Sequence, residues 1–362
     1  MDNSRNWNFE LSEYIKQGEP DKAQRSESWK AAIGLQDVDG LKTSEYLLDT
    51  AKEHIEGKIN IETVQKRLHS YYEQQNVRKA TEEGTEEADK VAARIAEILS
   101  ENTFQFSPAE FKAIHRRLFS DVFKHAGEIR TYNITKKEWV LKGDTVLYAS
   151  FDSINDTLDY DFAMEKAFSY KDLSASEAIK HIAKFTAGIW QIHPFCEGNT
   201  RATAVFIIKY LKSFGFNVNN DLFSKNSWYF RNALVRANYN NLKIGITAAY
   251  KYLEQFFENL LLDKHNELKN RYLHIDFQSE VQSANSDASK CNNCTLEELS
   301  ILNEIKKNPS ITQKALAKIT GRSERTIKTK TVEMQEKGFI QRANGRRNGY
   351  WKILVDISTK QW

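Results

Sequence analysis

The feature that most constrains this 362-residue chain is the run His193-Pro194-Phe195-Cys196-Glu197-Gly198-Asn199-Thr200-Arg201. Upstream, Ala178, Ile179, Ile182, Phe185 and Ile189 recur as one apolar helical face, and Ser174 with Glu177 reads as the capping box that starts it. Pro194 ends that helix, because its ring disfavours helical geometry in the preceding residue and offers no N–H. A second apolar helix is predicted from about Thr200 to Ser213, with Val205, Ile208 and Leu211 inside. The nine residues are therefore a tight loop opening onto a helix N-terminus, which presents unpaired N–H groups and the positive end of the helix dipole.

The residue types in that loop suit one kind of chemistry. Gly198 allows close backbone approach to a ligand, and Arg201 can fork onto phosphate oxygens. Glu197 supplies a hard oxygen for Mg2+, and His193 can serve as a general base near neutral pH. Base, metal ligand, anion nest and arginine together point to phosphoryl-type transfer from a nucleotide; the alternative is a capped loop with a hydrogen-bonded histidine.

Composition excludes several other classes. The content of aliphatic and aromatic residues suffices for a core, with four prolines and no low-complexity tract, and length suggests two or three domains. A formal charge of +3 decides nothing globally. Three cysteines do not make a disulfide framework; Cys196 is loop filler, and Cys291-x-x-Cys294 lacks a second ligand pair. Without an apolar leader or a membrane-length run, the chain is expected to be cytoplasmic, with no membrane partner.

The nine-residue run closely resembles the signature of Fic-domain proteins: His-Pro-Phe, two residues, Gly-Asn, one residue, Arg. The resemblance covers roughly residues 45–270 and implies a protein adenylyltransferase that uses ATP and Mg2+. His193 would be the catalytic base, Glu197 the metal ligand, and Gly198, Asn199, Thr200 and Arg201 the phosphate contacts. It also implies a β-hairpin flap for target docking, matched by alternating residues 139–148 about Lys142-Gly143-Asp144-Thr145 after Gly127-Glu128-Ile129-Arg130. Tyr229 and Asn238 would contact adenine. Ile55-Glu56-Gly57, in the turn of a predicted helical hairpin, resembles the family's inhibitory motif, with Lys52 where a Ser/Thr is usual, and makes Glu56 the expected brake. Two departures bear on nucleotide choice: Ala204 stands where adenylylating members carry a second arginine, and Thr200 replaces a glycine. Transfer of another nucleotide or phosphorus-containing group stays open.

The expected fold is mainly α, a Fic-type helical domain with a hairpin flap plus a C-terminal winged helix domain. The divisions are 1–75 (helical, with the inhibitory segment), 76–274 (catalytic), 275–294 (a Ser/Asn/Asp-rich linker) and 295–362. In the catalytic part, helices are expected from Thr85, after the Ser107-Pro108 cap, over 151–168, and as one long helix from about Ile244 to Leu273. The last part reads helix, helix-turn-helix, then a hairpin about Asn344-Gly345, resembling a winged helix-turn-helix. From Arg322 to Lys352 basic residues outnumber acidic ones, with Arg325 and Lys328 on one face of the third helix and Arg346 and Arg347 in the wing. DNA is the expected partner of 322–352, through a homodimer, and the alternative function is a DNA-binding regulator with a weakly active Fic domain.

Overall fold

Several helices begin where the sequence writes caps. The computed structural model describes residues 11–13, 20–74, 84–216, 218, 221–277, 294–343 and 349–355. Helix α1 (Pro20–Gly34) runs into a 3-10 turn (Leu35–Asp39). Ser44 and Asn60 cap α2 (Glu45–Ile55) and α3 (Ile61–Glu73) by accepting from Leu47 and Thr63 N–H groups. Then come α4 (Glu86–Ser100), α5 (Pro108–Phe119, capped by Ser107) and α6 (Ile154–Ala167). The Ser174–Glu177 capping box is formed at the start of α7 (Ala175–Ile192), and α8 (Asn199–Ser213) follows the loop.

Helix α8 is buried all round from Asn199 to Leu211, so it is the axis of the fold. It packs on α4, α5, α7 and the Leu35–Asp39 turn. Phe106, Phe111, Phe162, Phe185, Phe206 and Tyr210 interlock around it at ring separations of 4.7–6.5 Å. Lys209 and Lys212 of α8 donate to the carbonyls of Ile98, Leu99 and Glu101, satisfying the C-terminal end of α4. Helix α9 (Asp221–Ala237) lies against α1 and α10 (Lys251–Leu262).

Two local expectations are corrected. The long helix from Ile244 to Leu273 is broken: α10 stops at Asp263, which is left-handed (φ 54), and Asn259 and Asn266 exchange side-chain to backbone bonds that fold the chain back. Only a 3-10 turn (Asn270–Leu273) follows. Residues 139–148 reverse direction, but they do not form a strand ladder among the described residues. Trp139–Leu141 is a 3-10 turn, and Glu138 N–H donates to Asp144 O at 2.9 Å. Beyond that pair the ladder is pre-empted by side chains. Lys136 N–H goes to Thr145 Oγ1, while Gln191 and Arg130 take the Leu147 and Ala149 carbonyls.

The C-terminal part is α11 (Leu296–Lys307), α12 (Gln313–Thr320), α13 (Glu324–Glu336) and an antiparallel pair, β1 (Ile340–Ala343) and β2 (Tyr350–Ile353), registered Ile340 to Ile353 and Ala343 to Tyr350. This helix, helix-turn-helix and hairpin order is that of a winged helix. Trp351 locks the wing by donating from its backbone to Pro309 O and from its indole to Ile311 O. It joins the helical part through Ala175 N–H to Cys294 O (2.9 Å) and Lys306 to Asp263. No helix among the described residues is long and apolar enough to cross a membrane.

One glycine permits the α1–α9 approach. A Cβ on Gly34 would overlap the backbone of Ser224, which cannot rotate away. Gly34→Ala is expected to lower unfolding free energy by about 1–3 kcal/mol. Gly188→Ala, mid-helix in α7 with only an ordinary 3.5 Å neighbour, should be neutral or stabilising by up to about 1 kcal/mol. Urea unfolding of the two variants tests the contrast.

Candidate active site

Helix α7 ends in a residue that few helices end in. His193 is left-handed (φ 49, ψ 58), a conformation that costs a non-glycine residue free energy unless its surroundings impose it. Buried Arg130 does so: its Nε donates to His193 O at 2.8 Å, its backbone N–H to Pro194 O at 2.9 Å, and its guanidinium also reaches Ile192 O. The same guanidinium takes Tyr132 O and Ala149 O, so one arginine joins the loop to the flap segment.

The imidazole of His193 is thereby aimed. Its Nδ1 lies 3.3 Å from Trp190 O; a carbonyl can only accept, so that nitrogen carries the proton. Nε2 is left as a buried lone pair with no protein partner. Burial, then the nearby charge of Lys136, holds the imidazole well below the ordinary histidine range, opposed by the Trp190 carbonyl. Tyr148 packs against the ring at 4.3 Å between centroids. The group is a neutral base facing a cleft.

The loop itself is stapled from within. Asn199 accepts from Phe195 N–H (3.0 Å) and donates to Phe195 O (2.7 Å), so its side chain serves the loop. Gly198 is left-handed (φ 73), and a Cβ there would strike the Phe119 ring, so the glycine is required by packing as well as by turn geometry. Thr200 Oγ1 accepts from Trp190 Nε1 at 3.0 Å. His115, which the sequence reading passed over, clamps the loop from outside. Its Nδ1 accepts from Gly127 N–H, its Nε2 donates to Glu197 O at 2.9 Å, and its ring stacks on Phe195 at 3.7 Å.

The cleft that Nε2 faces is lined by Asp39, Lys136, Glu138, Trp190, His193, Arg231 and the start of α8, Gly198 to Thr200. Three pairings set its charge. Lys136 Nζ lies 3.2 Å from the exposed carboxylate of Glu197. Arg231 is paired at 2.7 Å with buried Glu138, whose other oxygen accepts from Tyr148 OH. Arg201 is buried and held on three sides: Nη1 donates to Gln36 Oε1 (3.1 Å), Nη2 to Glu87 Oε1 (2.6 Å), Nε forms an ion pair with Asp39 Oδ2 (2.7 Å) without hydrogen-bond geometry, and its face lies over Phe119.

The structure therefore brings together His193, Glu197, Gly198, Asn199, Thr200 and Arg201, but redistributes their tasks. Asn199 and Arg201 hold protein, and the cleft cations are Lys136 and Arg231. Tyr229 and Asn238 are not in the cleft. Tyr229 is buried with its hydroxyl on Tyr252 O, and Asn238 closes α9 by donating to Leu234 O and Ala187 O. The face of α9 that reaches the cleft is that of Arg231, offset from Tyr229 by two residues. Glu56 pairs with Lys58, and the carboxylates on Arg201 are Asp39 and Glu87. For Mg2+, Glu197 fits as a single hard ligand of the kind that shares the ion with substrate phosphates, and no cluster of three metal-binding side chains exists among the described residues. Arg325 and Lys328 are exposed on α13, whereas Arg346, Arg347 and Cys291 lie outside the described residues.

His115 supplies a pH test. Burial, opposed by the Glu197 carbonyl, lowers its pKa from 6.5 to about 4, so the unfolded chain binds a proton that the folded chain refuses. Stability should fall as pH drops from about 6.5 to about 4, by up to about 3 kcal/mol from this residue. His54, lowered to about 4 by burial and Arg25, adds to the same window. Urea titrations across that window should show a shallower fall in His115→Gln.

Comparison with known proteins bears on this geometry. Residues 105–211 match the Fic/DOC family, and residues 298–341 match the winged helix-turn-helix DNA-binding family. The chain is 25% identical over 177 residues to protein adenylyltransferase VbhT of Bartonella schoenbuchensis, a stretch that is 49% of this chain and 35% of that protein. The chain thus spans about a third of the length of that relative. Among solved structures, a Fic family protein from Desulfovibrio desulfuricans G20 is 13% identical (TM-score 0.43), covering 98% of this chain and 96% of that one. The N-terminal FIC domain of Bep8 from Bartonella sp. 1-1C is 18% identical (TM-score 0.38), covering 52% of this chain and 88% of that one. The chain carries a Fic/DOC domain and a winged helix-turn-helix domain.

Proposed function

We propose that this Fic-type transferase is a protein adenylyltransferase, moving AMP from ATP to a Tyr, Ser or Thr hydroxyl of a target protein. The observation that carries the reading is the buried, proton-free Nε2 of His193 facing the N-terminus of α8. Nε2 takes the hydroxyl proton as that oxygen bonds to the α-phosphorus and the bond to pyrophosphate breaks, leaving AMP on the target. The backbone N–H groups at the start of α8 receive the phosphate chain, whose charge they meet without reorganising. Glu197 would hold Mg2+, which supplies charge neutralisation along the phosphates. The target's segment lies along residues 139–148, where Leu147 is 83% exposed.

A second role rests on a different observation. In the winged helix, Arg322, Lys330 and Lys337 are spent on Glu297, Glu333 and Glu298. Arg325 and Lys328 are exposed, three residues apart on α13, with no ion pair among the described residues. That face suits the major groove of DNA, so the chain is also read as a DNA binder, with dimerisation raising affinity.

Incubation with ATP labelled on the α-phosphate tests the transfer. His193→Ala should lose at least about 100-fold in label transfer and keep ATP affinity within a few-fold. Equal transfer in that variant, or label arriving only from the γ-phosphate, overturns the assignment. For DNA, Arg325→Ala/Lys328→Ala should weaken binding about 10-fold or more and reduce the salt slope by about 2. Fluorescence anisotropy over a salt series measures both, and unchanged binding rejects this face.

A further inference from the structure

Two cations, Lys136 and Arg231, line the cleft, and Arg201 lies beside it on the lining Asp39; of the three, one can be released to a ligand cheaply. Arg201 is 2% exposed, hydrogen-bonded to Gln36 and Glu87 and ion-paired with Asp39. Moving it would strand two carboxylates and a buried amide. Arg231 is held at 2.7 Å by Glu138, which is 1% exposed, and is stacked against Trp228. Removing one partner from such a pair leaves an uncompensated buried charge, the costly case. Lys136 differs on each count: its side chain is 30% exposed, its single ion-pair partner among the described residues is Glu197, and that carboxylate is 59% exposed. An exposed ion pair contributes little and its members rehydrate readily. Ala204, fully buried in α8, offers no cation of its own.

Position agrees with cost. Lys136 lines the same cleft as His193 and the N–H groups of Gly198 to Thr200, and its charge is felt at the imidazole. Its backbone is anchored to Thr145 and sits two residues before Glu138, so the ammonium is carried on the flap segment to the cleft mouth. A four-carbon stem with three donors can swing from one oxyanion to another without disturbing that anchor.

We propose that Lys136 is the cation that receives the nucleotide's phosphate chain, exchanging Glu197 for phosphate and so uncovering Glu197 for a divalent ion. This rests on the nucleotide-transfer reading above. The exchange makes phosphate and metal help each other: each removes the other's competitor for the Lys136–Glu197 pair.

Calorimetric titration of the full chain with ATP and with inorganic triphosphate, in EDTA and in Mg2+, tests it. Lys136→Met should weaken ATP about 10- to 100-fold, with an unchanged unfolding transition, while Lys136→Arg retains most of the affinity and the neighbouring Lys137→Met is silent. In EDTA, Glu197→Gln should tighten ATP several-fold, because Lys136 is already released, and that gain should vanish in the Glu197→Gln/Lys136→Met double variant. If wild type binds ATP and Lys136→Met binds it equally well, the Lys136 assignment falls and the nucleotide reading stands. If Lys137→Met costs as much as Lys136→Met, the effect is diffuse surface charge and the assignment also falls. If wild type binds neither ATP nor triphosphate, the nucleotide reading itself fails and takes this one with it.

Discussion

The site depends on a residue held in a conformation it would not choose. His193 is left-handed because α7 must stop before Pro194 and the chain must turn at once into α8. Arg130, Asn199 and His115 impose that turn through hydrogen bonds to the loop carbonyls of Ile192, His193, Pro194, Phe195 and Glu197. Ile192, His193, Pro194 and Phe195 are buried, so their carbonyls would otherwise be acceptors cut off from water, and the clamps are themselves buried and polar. The strain is repaid in geometry: the imidazole presents Nε2 to the cleft, and the first N–H groups of α8 face the same space.

The charge pattern around that cleft follows a second constraint. Buried ions must be paired, so the fold distributes carboxylates from four separate segments onto the cations: Asp39 and Glu87 on Arg201, Glu138 on Arg231, Glu197 on Lys136. Depth then decides function. The deepest pairs act as scaffold, and the shallowest pair is the one that can be rearranged by a ligand. Desolvation and the surrounding cations act in one direction on His193, keeping it neutral, which is the state a base needs.

Much of the frame was readable. Asn60, Ser107 and Ser174 each cap a helix that the pattern predicts, because a cap is satisfied within three residues of itself. The helix order of the winged helix and the loop between α7 and α8 were legible for the same reason. The paired strands expected at 139–148 were not, since alternation there reflects two sides of a turn whose acceptors are taken by Arg130 and Gln191 from elsewhere in the fold. Likewise Tyr229 carries an aromatic ring suited to adenine, but helical phase turns it into the core and sends Arg231 to the cleft. His115, in a helix without a motif, gave no signal beyond being a histidine on an apolar face.

Sequence by itself determined the loop that carries His193, the break between α7 and α8, and the presence of two differently built parts. All of these are local properties, written within a turn or two of the residues concerned. Tertiary structure decided what Arg201 does: its partners Gln36 and Glu87 lie 165 and 114 residues away, one in the 3-10 turn after α1 and the other in the first turn of α4. It likewise placed Lys136 on Glu197, 61 residues apart. Periodicity and spacing cannot report such pairings, because a charged side chain finds its partner only after the segments carrying both have packed.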